Sequence, residues 1–212
     1  MLQVKSFEFS PIYENTYIVY NEFNECIIVD PGCYHDHERE ALATYINEKK
    51  LKPVHLLNTH CHLDHVFGNA FVAEKYDLEL QIHPLEKAVL DFAPTSGLMY
   101  DLPFTNYQGK INHLMPGEEV HLGNDSLQIL FTPGHSPGSV SFYAKEYGFV
   151  LGGDVLFKGS IGRTDLPGGS MDTLLESINK ELFTLPEATV VYSGHGSPTD
   201  IGTEKSSNPF FQ

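Results

Sequence analysis

The chain has 212 residues, 41% of them hydrophobic, which suffices for one α/β domain with a sizeable core. Its 13 Lys and Arg against 28 Asp and Glu give a formal net charge of −15 with no basic cluster, and this weighs against a nucleic-acid partner. No apolar run approaches the roughly 20 residues that span a bilayer, Met1 to Ser10 lack the apolar stretch of a signal peptide, and three cysteines without a Cys-x-x-Cys pair argue against a disulfide framework.

A cytoplasmic protein with no membrane partner is therefore expected. Residues 2–9 and 16–20 read as strands of a meander, with Tyr13-Glu14-Asn15 as the turn. Cys26-Ile27-Ile28-Val29 is a continuous apolar strand that stops at Asp30-Pro31-Gly32, a strong turn signal. Over 36–50, Ala41, Leu42, Tyr45 and Ile46 fall on one helical face. A strand over 53–58 runs into Thr59-His60-Cys61-His62-Leu63-Asp64-His65, and Phe67, Ala70, Phe71 and Glu74 continue at helical spacing to about Tyr76. Residues 79–83 make another strand, ending at His83-Pro84 with a short helix after it. From Phe92 to Gly109 the chain carries Pro94, Gly97 and Pro103 without periodicity. It reads as a long loop whose aromatics form one wall of a substrate cleft.

The second half repeats one pattern. The strand Leu127 to Phe131 ends in Thr132-Pro133-Gly134-His135, that at 148–151 in Gly152-Gly153-Asp154, and that at 189–192 in Ser193-Gly194-His195. Three times an apolar strand stops at glycine and then presents one candidate ligand. A helix over 172–184 buries Leu174, Leu175, Ile178 and Leu182. No linker composition divides the chain, so a single domain over 1–212 is expected.

The histidine cluster sits on a strand-to-helix turn, and in an α/β sheet that turn faces the crevice where ligands bind. Side chains alternate in an extended loop, so His60 and His62 point the same way and Cys61 points away. Imidazoles with a carboxylate suit zinc, iron or manganese rather than calcium. The other six histidines, at 35, 37, 55, 83, 113 and 121, carry no ligand spacing and read as structural or solvated.

His60-x-His62-x-Asp64-His65 resembles the His-x-His-x-Asp-His motif of the metallo-β-lactamase superfamily. The flanking sequence and chain length look closest to its short, glyoxalase-II-like hydrolases. The resemblance implies a four-layer αβ/βα sandwich of two similar halves, with the site at the strand carboxyl ends. It implies two transition metal ions, zinc first, with iron or manganese accepted by the same donors. His60, His62 and His135 would hold one ion, Asp64, His65 and His195 the second, and Asp154 would bridge them. The implied activity is hydrolysis of a small-molecule thioester, S-D-lactoylglutathione or a related acyl thiol, by a hydroxide shared between the metals, with Asp64 and Asp154 as the catalytic carboxylates. Asp30 resembles a family Asp near the site, and Lys158 and Arg163 lie in a loop resembling the substrate-side loop of glyoxalase II and persulfide dioxygenases. One β-lactamase subclass places a Cys ligand where this chain has Asp154, which moves the reading away from antibiotic hydrolysis. The C-terminal helical extension of long glyoxalase II proteins, which helps bind glutathione, is not expected, since only 17 residues follow His195. The alternatives are a mononuclear iron persulfide dioxygenase and a non-catalytic metal-binding domain.

Overall fold

A computed structural model describes residues 1–212. The first half of the chain lays down one sheet in sequence order. It comprises β1 (Gln3–Phe9), β2 (Glu14–Tyr20), β3 (Glu25–Val29), β4 (Lys52–Leu57), β5 (Leu80–Ile82) and β6 (Ile111–His113). The second half supplies β7 (Glu119–Leu122), β8 (Asp125–Phe131), β9 (Val140–Ala144), β10 (Phe149–Gly153), a small hairpin of β11 (Leu156–Phe157) and β12 (Ser160–Ile161), then β13 (Val190–Ser193) and β14 (Thr199–Asp200). Apart from the hairpin these pair in the order β14-β13-β10-β9-β8-β7. Helices α1 (Asp36–Glu48), α2 (Leu63–Val66), α3 (Asn69–Tyr76) and α4 (Lys87–Met99) belong to the first half, and α5 (Met171–Ser177) and α6 (Ile201–Ser207) to the second.

The period-two alternation of strand side chains explains the layering. In β2 and β3, Tyr17, Val19, Ile27 and Val29 point to one face and meet Val120, Leu127, Ile129, Phe142 and Leu151 of the other sheet. Ile18, Cys26 and Ile28 point to the opposite face and pack with Leu42 and Ile46 of α1, Val72 of α3 and Leu90 of α4. In the second sheet Leu130, Tyr143, Val150 and Val191 turn outward onto Leu174, Ile178, Leu182 and Ile201. Three apolar layers thus separate four layers of structure, the expected αβ/βα sandwich. No helix is long and apolar enough to cross a membrane.

Two local expectations are corrected. The first turn is Ser10-Pro11-Ile12-Tyr13, with Ser10 and Tyr13 at φ of 62° and 61°, so β2 begins at Glu14, opposite Phe9. The long loop expected from Phe92 is instead helical to Met99, with Pro94 inside α4. Proline removes the N–H that would satisfy the carbonyl four residues earlier, which normally ends a helix. Here the Asn106 side-chain amide donates to that carbonyl, Leu90 O, at 2.7 Å, so the freed acceptor is satisfied and the helix continues.

β3 and β4 run parallel, as do β10 and β13, and β8 shares the direction of β10 because both are antiparallel to β9. The ends of β4, β8, β10 and β13 therefore deliver Thr59 to His62, His135, Asp154 and His195 to one edge of the sandwich.

Candidate metal centre

Of the three donor groups that converge at that edge, two share no residue, and the third, Asp30 with His60 and His65, draws one histidine from each. The ligand atoms of His60, His62 and His135 converge within 4.8 Å, and so do those of Asp64, His65 and His195. His135 Nε2 lies 2.8 Å from His62 Nδ1 and 3.2 Å from His60 Nε2. In the second group His195 Nε2 is 3.1 Å from Asp64 Oδ2, and His65 Nε2 is 3.8 Å from the same oxygen. Asp154 stands between the groups. Its Oδ1 is 3.4 Å from His65 Nε2, while its Oδ2 is 3.5 Å from His135 Nε2 and 3.6 Å from His195 Nε2.

The outward nitrogens of these rings decide what the inward ones can do. His135 Nδ1 faces Arg163 O at 2.7 Å and His195 Nδ1 faces Tyr13 O at 3.0 Å. His65 Nδ1 faces Asp30 Oδ2 at 3.1 Å. His60 Nδ1 faces Thr59 Oγ1 at 3.1 Å, and that hydroxyl donates to Asp30 Oδ2. A ring proton on each Nδ1 can be donated to these acceptors, which aims Nε2 inward, the arrangement typical of metal-binding histidines. Asp30 also accepts from Thr59 N at 2.7 Å and from the Asn58 amide at 3.2 Å, so one carboxylate braces the whole histidine loop.

This donor set fits transition metals. His60 Nε2 and His135 Nε2 face each other at 3.2 Å, and His65 Nε2 and Asp154 Oδ1 are buried without any hydrogen-bond partner. Two nitrogens each about 2.0–2.1 Å from one tetrahedral ion lie roughly 3.3 Å apart, close to the spacing seen here. Burial, then the neighbouring His135, pushes His62 down to about 4, so its ring is neutral and able to coordinate at neutral pH. Burial alone would raise Asp154, yet the His65, His135 and His195 imidazoles hold its carboxyl below the usual carboxylate range.

Glycine permits the crowding. A Cβ on Gly194 would lie 2.1 Å from Asp154 Oδ1 and 2.7 Å from His65 Cε1. Gly153 has φ of +52°, and a Cβ there would meet Thr59 Oγ1 at 2.4 Å.

The chain belongs to the metallo-β-lactamase superfamily. The family model described as metallo-beta-lactamase superfamily matches residues 10–195. A probable metallo-hydrolase, YqgX of Bacillus subtilis, is 45% identical over 203 residues, covering 94% of this chain and 93% of that one. The hydroxyacylglutathione hydrolase GloC of Haemophilus influenzae is 35% identical over 205 residues, covering 93% and 92%. Among solved structures, BLEG-1, a B3 metallo-beta-lactamase, superposes with a TM-score of 0.91 at 38% identity, covering 99% of this chain and 100% of that chain. YqgX, GloC and BLEG-1 all carry hydrolase names, and this chain shares their metallo-hydrolase superfamily.

The remaining expected residues fall in different places. Cys61 is fully buried in the core, and burial pushes its thiol well above the ordinary range. Arg163 lines the cavity of about 270 Å³ over the centre, and its guanidinium pairs bidentately with Asp165 at 2.7 Å for both bonds. Lys158 is exposed on the β11–β12 hairpin and lines neither this cavity nor the larger one beside it. His55 bonds His121 O and the Gln81 amide, and His83 stacks on Phe131, both structural arrangements.

One residue escaped the sequence reading altogether. Glu86, fully buried just ahead of α4, accepts from Cys61 N at 2.7 Å, Ser136 Oγ at 2.6 Å and Gly138 N at 2.7 Å. It ties the loop carrying His60 and His62 to the loop carrying His135. Its partners lie 25, 50 and 52 residues away in sequence, so no local signal marks it.

Proposed function

We propose that the protein is a dinuclear metal-dependent hydrolase of small-molecule thioesters. The observation that carries this reading is Asp154, whose carboxylate reaches toward both histidine groups at 3.4–3.6 Å. His60, His62 and His135 would hold one ion and Asp64, His65 and His195 the other, zinc being the first choice and iron or manganese suiting the same donors. When bound, the pair would supply a hydroxide nucleophile at neutral pH and an electrophile for the scissile carbonyl. The chain's own part is to fix geometry. Asp30, Arg163 O and Tyr13 O hold protons on the outward nitrogens of His65, His135 and His195, which keeps the inward lone pairs aimed. Asp64 and Asp154 contribute the negative charge that compensates two cations. A thiolate leaving group, from a thiol of pKa about 8.5, departs without a strong general acid. Arg163, the one Lys or Arg lining the cavity, is the proposed contact for a substrate carboxylate, since an exposed pair such as that with Asp165 is worth little and is readily exchanged.

The similarity to GloC supports the thioester class, and that to BLEG-1 favours β-lactam hydrolysis as the second reading. A persulfide dioxygenase would use one ion and leave Asp64, His65 and His195 idle. The test is release of free thiol from S-D-lactoylglutathione and from an uncharged thioester by metal-loaded protein. Turnover that a chelator abolishes and added metal restores is expected. No thiol release from either substrate, with hydrolysis of a chromogenic cephalosporin or oxygen consumption with glutathione persulfide instead, would overturn the proposal.

A further inference from the structure

Beside the cavity over the metal centre lies a second one of about 530 Å³, within the range of small-molecule sites. Val89, Phe92, Ala93 and Met99 of α4 form one wall, with Pro137 and Leu166 among the residues lining the rest. Nine of its fourteen lining residues are hydrophobic, and none is Lys, Arg, Asp or Glu. It is continuous with the centre: His62, Leu63, Ser96, Tyr100 and Leu166 line both cavities. A molecule with its scissile group over Asp154 can therefore extend an arm directly into the larger space. Phe92, Met99 and Tyr100 are 47%, 71% and 55% exposed and all line this one cavity, a contiguous apolar surface rather than scattered side chains.

The chemistry of this space selects its occupant. A carboxylate or ammonium placed among Val89, Phe92 and Leu166 would lose hydration with no opposite charge to compensate. The polar, doubly carboxylated body of glutathione finds no cation there. Because Asn106 satisfies Leu90 O, α4 continues through Pro94 and carries Ser96 and Met99 to the cavity.

We propose that this cavity binds an uncharged apolar arm of several carbons on the thioester, so that the preferred substrates are medium-chain or similarly apolar rather than small and polar. The inference deepens the thioester-hydrolase reading and rests on it. The arm belongs to the acyl or to the thiol side, and the two are separated by substrate series.

The experiment uses metal-loaded full-length protein and two sets of substrates. One set is acetyl, butyryl, hexanoyl and octanoyl thioesters of N-acetylcysteamine; the other is acetyl thioesters of ethanethiol, butanethiol and hexanethiol. Burying each added methylene should raise kcat/KM roughly fourfold along one series until the cavity is full. A rise along the first series assigns the arm to the acyl side, and a rise along the second assigns it to the thiol. Turnover with no rise along either overturns the subsite while leaving the hydrolase reading standing; no turnover of any thioester defeats the hydrolase reading instead. Binding is read separately by fluorine NMR on metal-free protein: uncharged 6,6,6-trifluorohexan-1-ol should broaden and 2,2,2-trifluoroethanol should not. Equal behaviour of the two ligands would also overturn the subsite. Phe92→Asp, an exposed helix position, places a charge in the wall. It should lower the hexanoyl-to-acetyl or hexanethiol-to-ethanethiol preference at least tenfold and remove the broadening, with metal content retained as the check on folding. A preference and broadening that survive Phe92→Asp would contradict the assignment.

Discussion

Replacing Glu86 by alanine takes one acceptor away from three buried donors, Cys61 N, Ser136 Oγ and Gly138 N. A buried donor left without a partner costs about 1–3 kcal/mol. The Ser136 hydroxyl can rotate and water can enter the vacated space, so the lower figure applies to each and the total is about 3 kcal/mol. In a chain of this size 1 kcal/mol moves Tm by about 2–4 °C, which gives an expected fall of about 6–12 °C. Because Cys61 lies between His60 and His62 while Ser136 and Gly138 follow His135, the same change loosens both loops of the three-histidine group. Metal affinity should drop about 10–100-fold, as it does when groups bracing ligands are removed. Glu86→Gln keeps one acceptor oxygen but turns an amide N–H toward the other donors, so it should fall between wild type and alanine. Thermal unfolding followed by circular dichroism and a competitive zinc titration measure the two effects. A Tm within about 2 °C of wild type together with unchanged affinity would show that the loops hold their positions without Glu86.

Asn106→Ala should orphan Leu90 O within α4 and cost about 1–3 kcal/mol in urea unfolding; wild-type stability would mean the carbonyl freed by Pro94 is satisfied some other way. Burial holds the His55 imidazole below its ordinary range, so the unfolded chain takes up that proton first. The His55 contribution is intact above the unfolded value of about 6.5 and is lost as pH falls from there, and His55→Gln should flatten the acid side of the stability curve just below that pH. An unaltered curve in that variant would contradict the assignment. Arg163→Ala should raise KM for a carboxylate-bearing thioester several-fold and leave a neutral one unchanged, the pattern of lost uniform binding; an equal effect on both substrates would make Arg163 structural.

What the sequence made legible was whatever is written locally. The apolar runs ending at Asp30, His135, Asp154 and His195 could be read because strand and stop lie next to each other in the chain, and the fold family followed from the motif at 60–65. The course of the chain after Phe92 was not legible. Pro94 is a local stop signal, and the group that overrides it, the Asn106 side chain, arrives from twelve residues further on, beyond the reach of helical periodicity. The first turn slipped for a related reason: Ser10 and Tyr13 take left-handed conformations that their residue types do not announce. Asp30 was marked by its strand-end position, whereas Glu86 was invisible because its role consists wholly of partners from distant loops. The apolar cavity is legible only once α4 has been brought over Leu63 and Leu166.

In the proposed dinuclear centre Asp154 joins two donor groups that hold two ions. Its most direct measurement is the metal content of the purified chain after reconstitution with zinc, iron or manganese, by elemental mass spectrometry against protein concentration. A dinuclear centre gives two ions per chain, with Asp154→Ala retaining fewer than one. A content that saturates at one ion per chain, or an Asp154→Ala variant that still holds two, would contradict it.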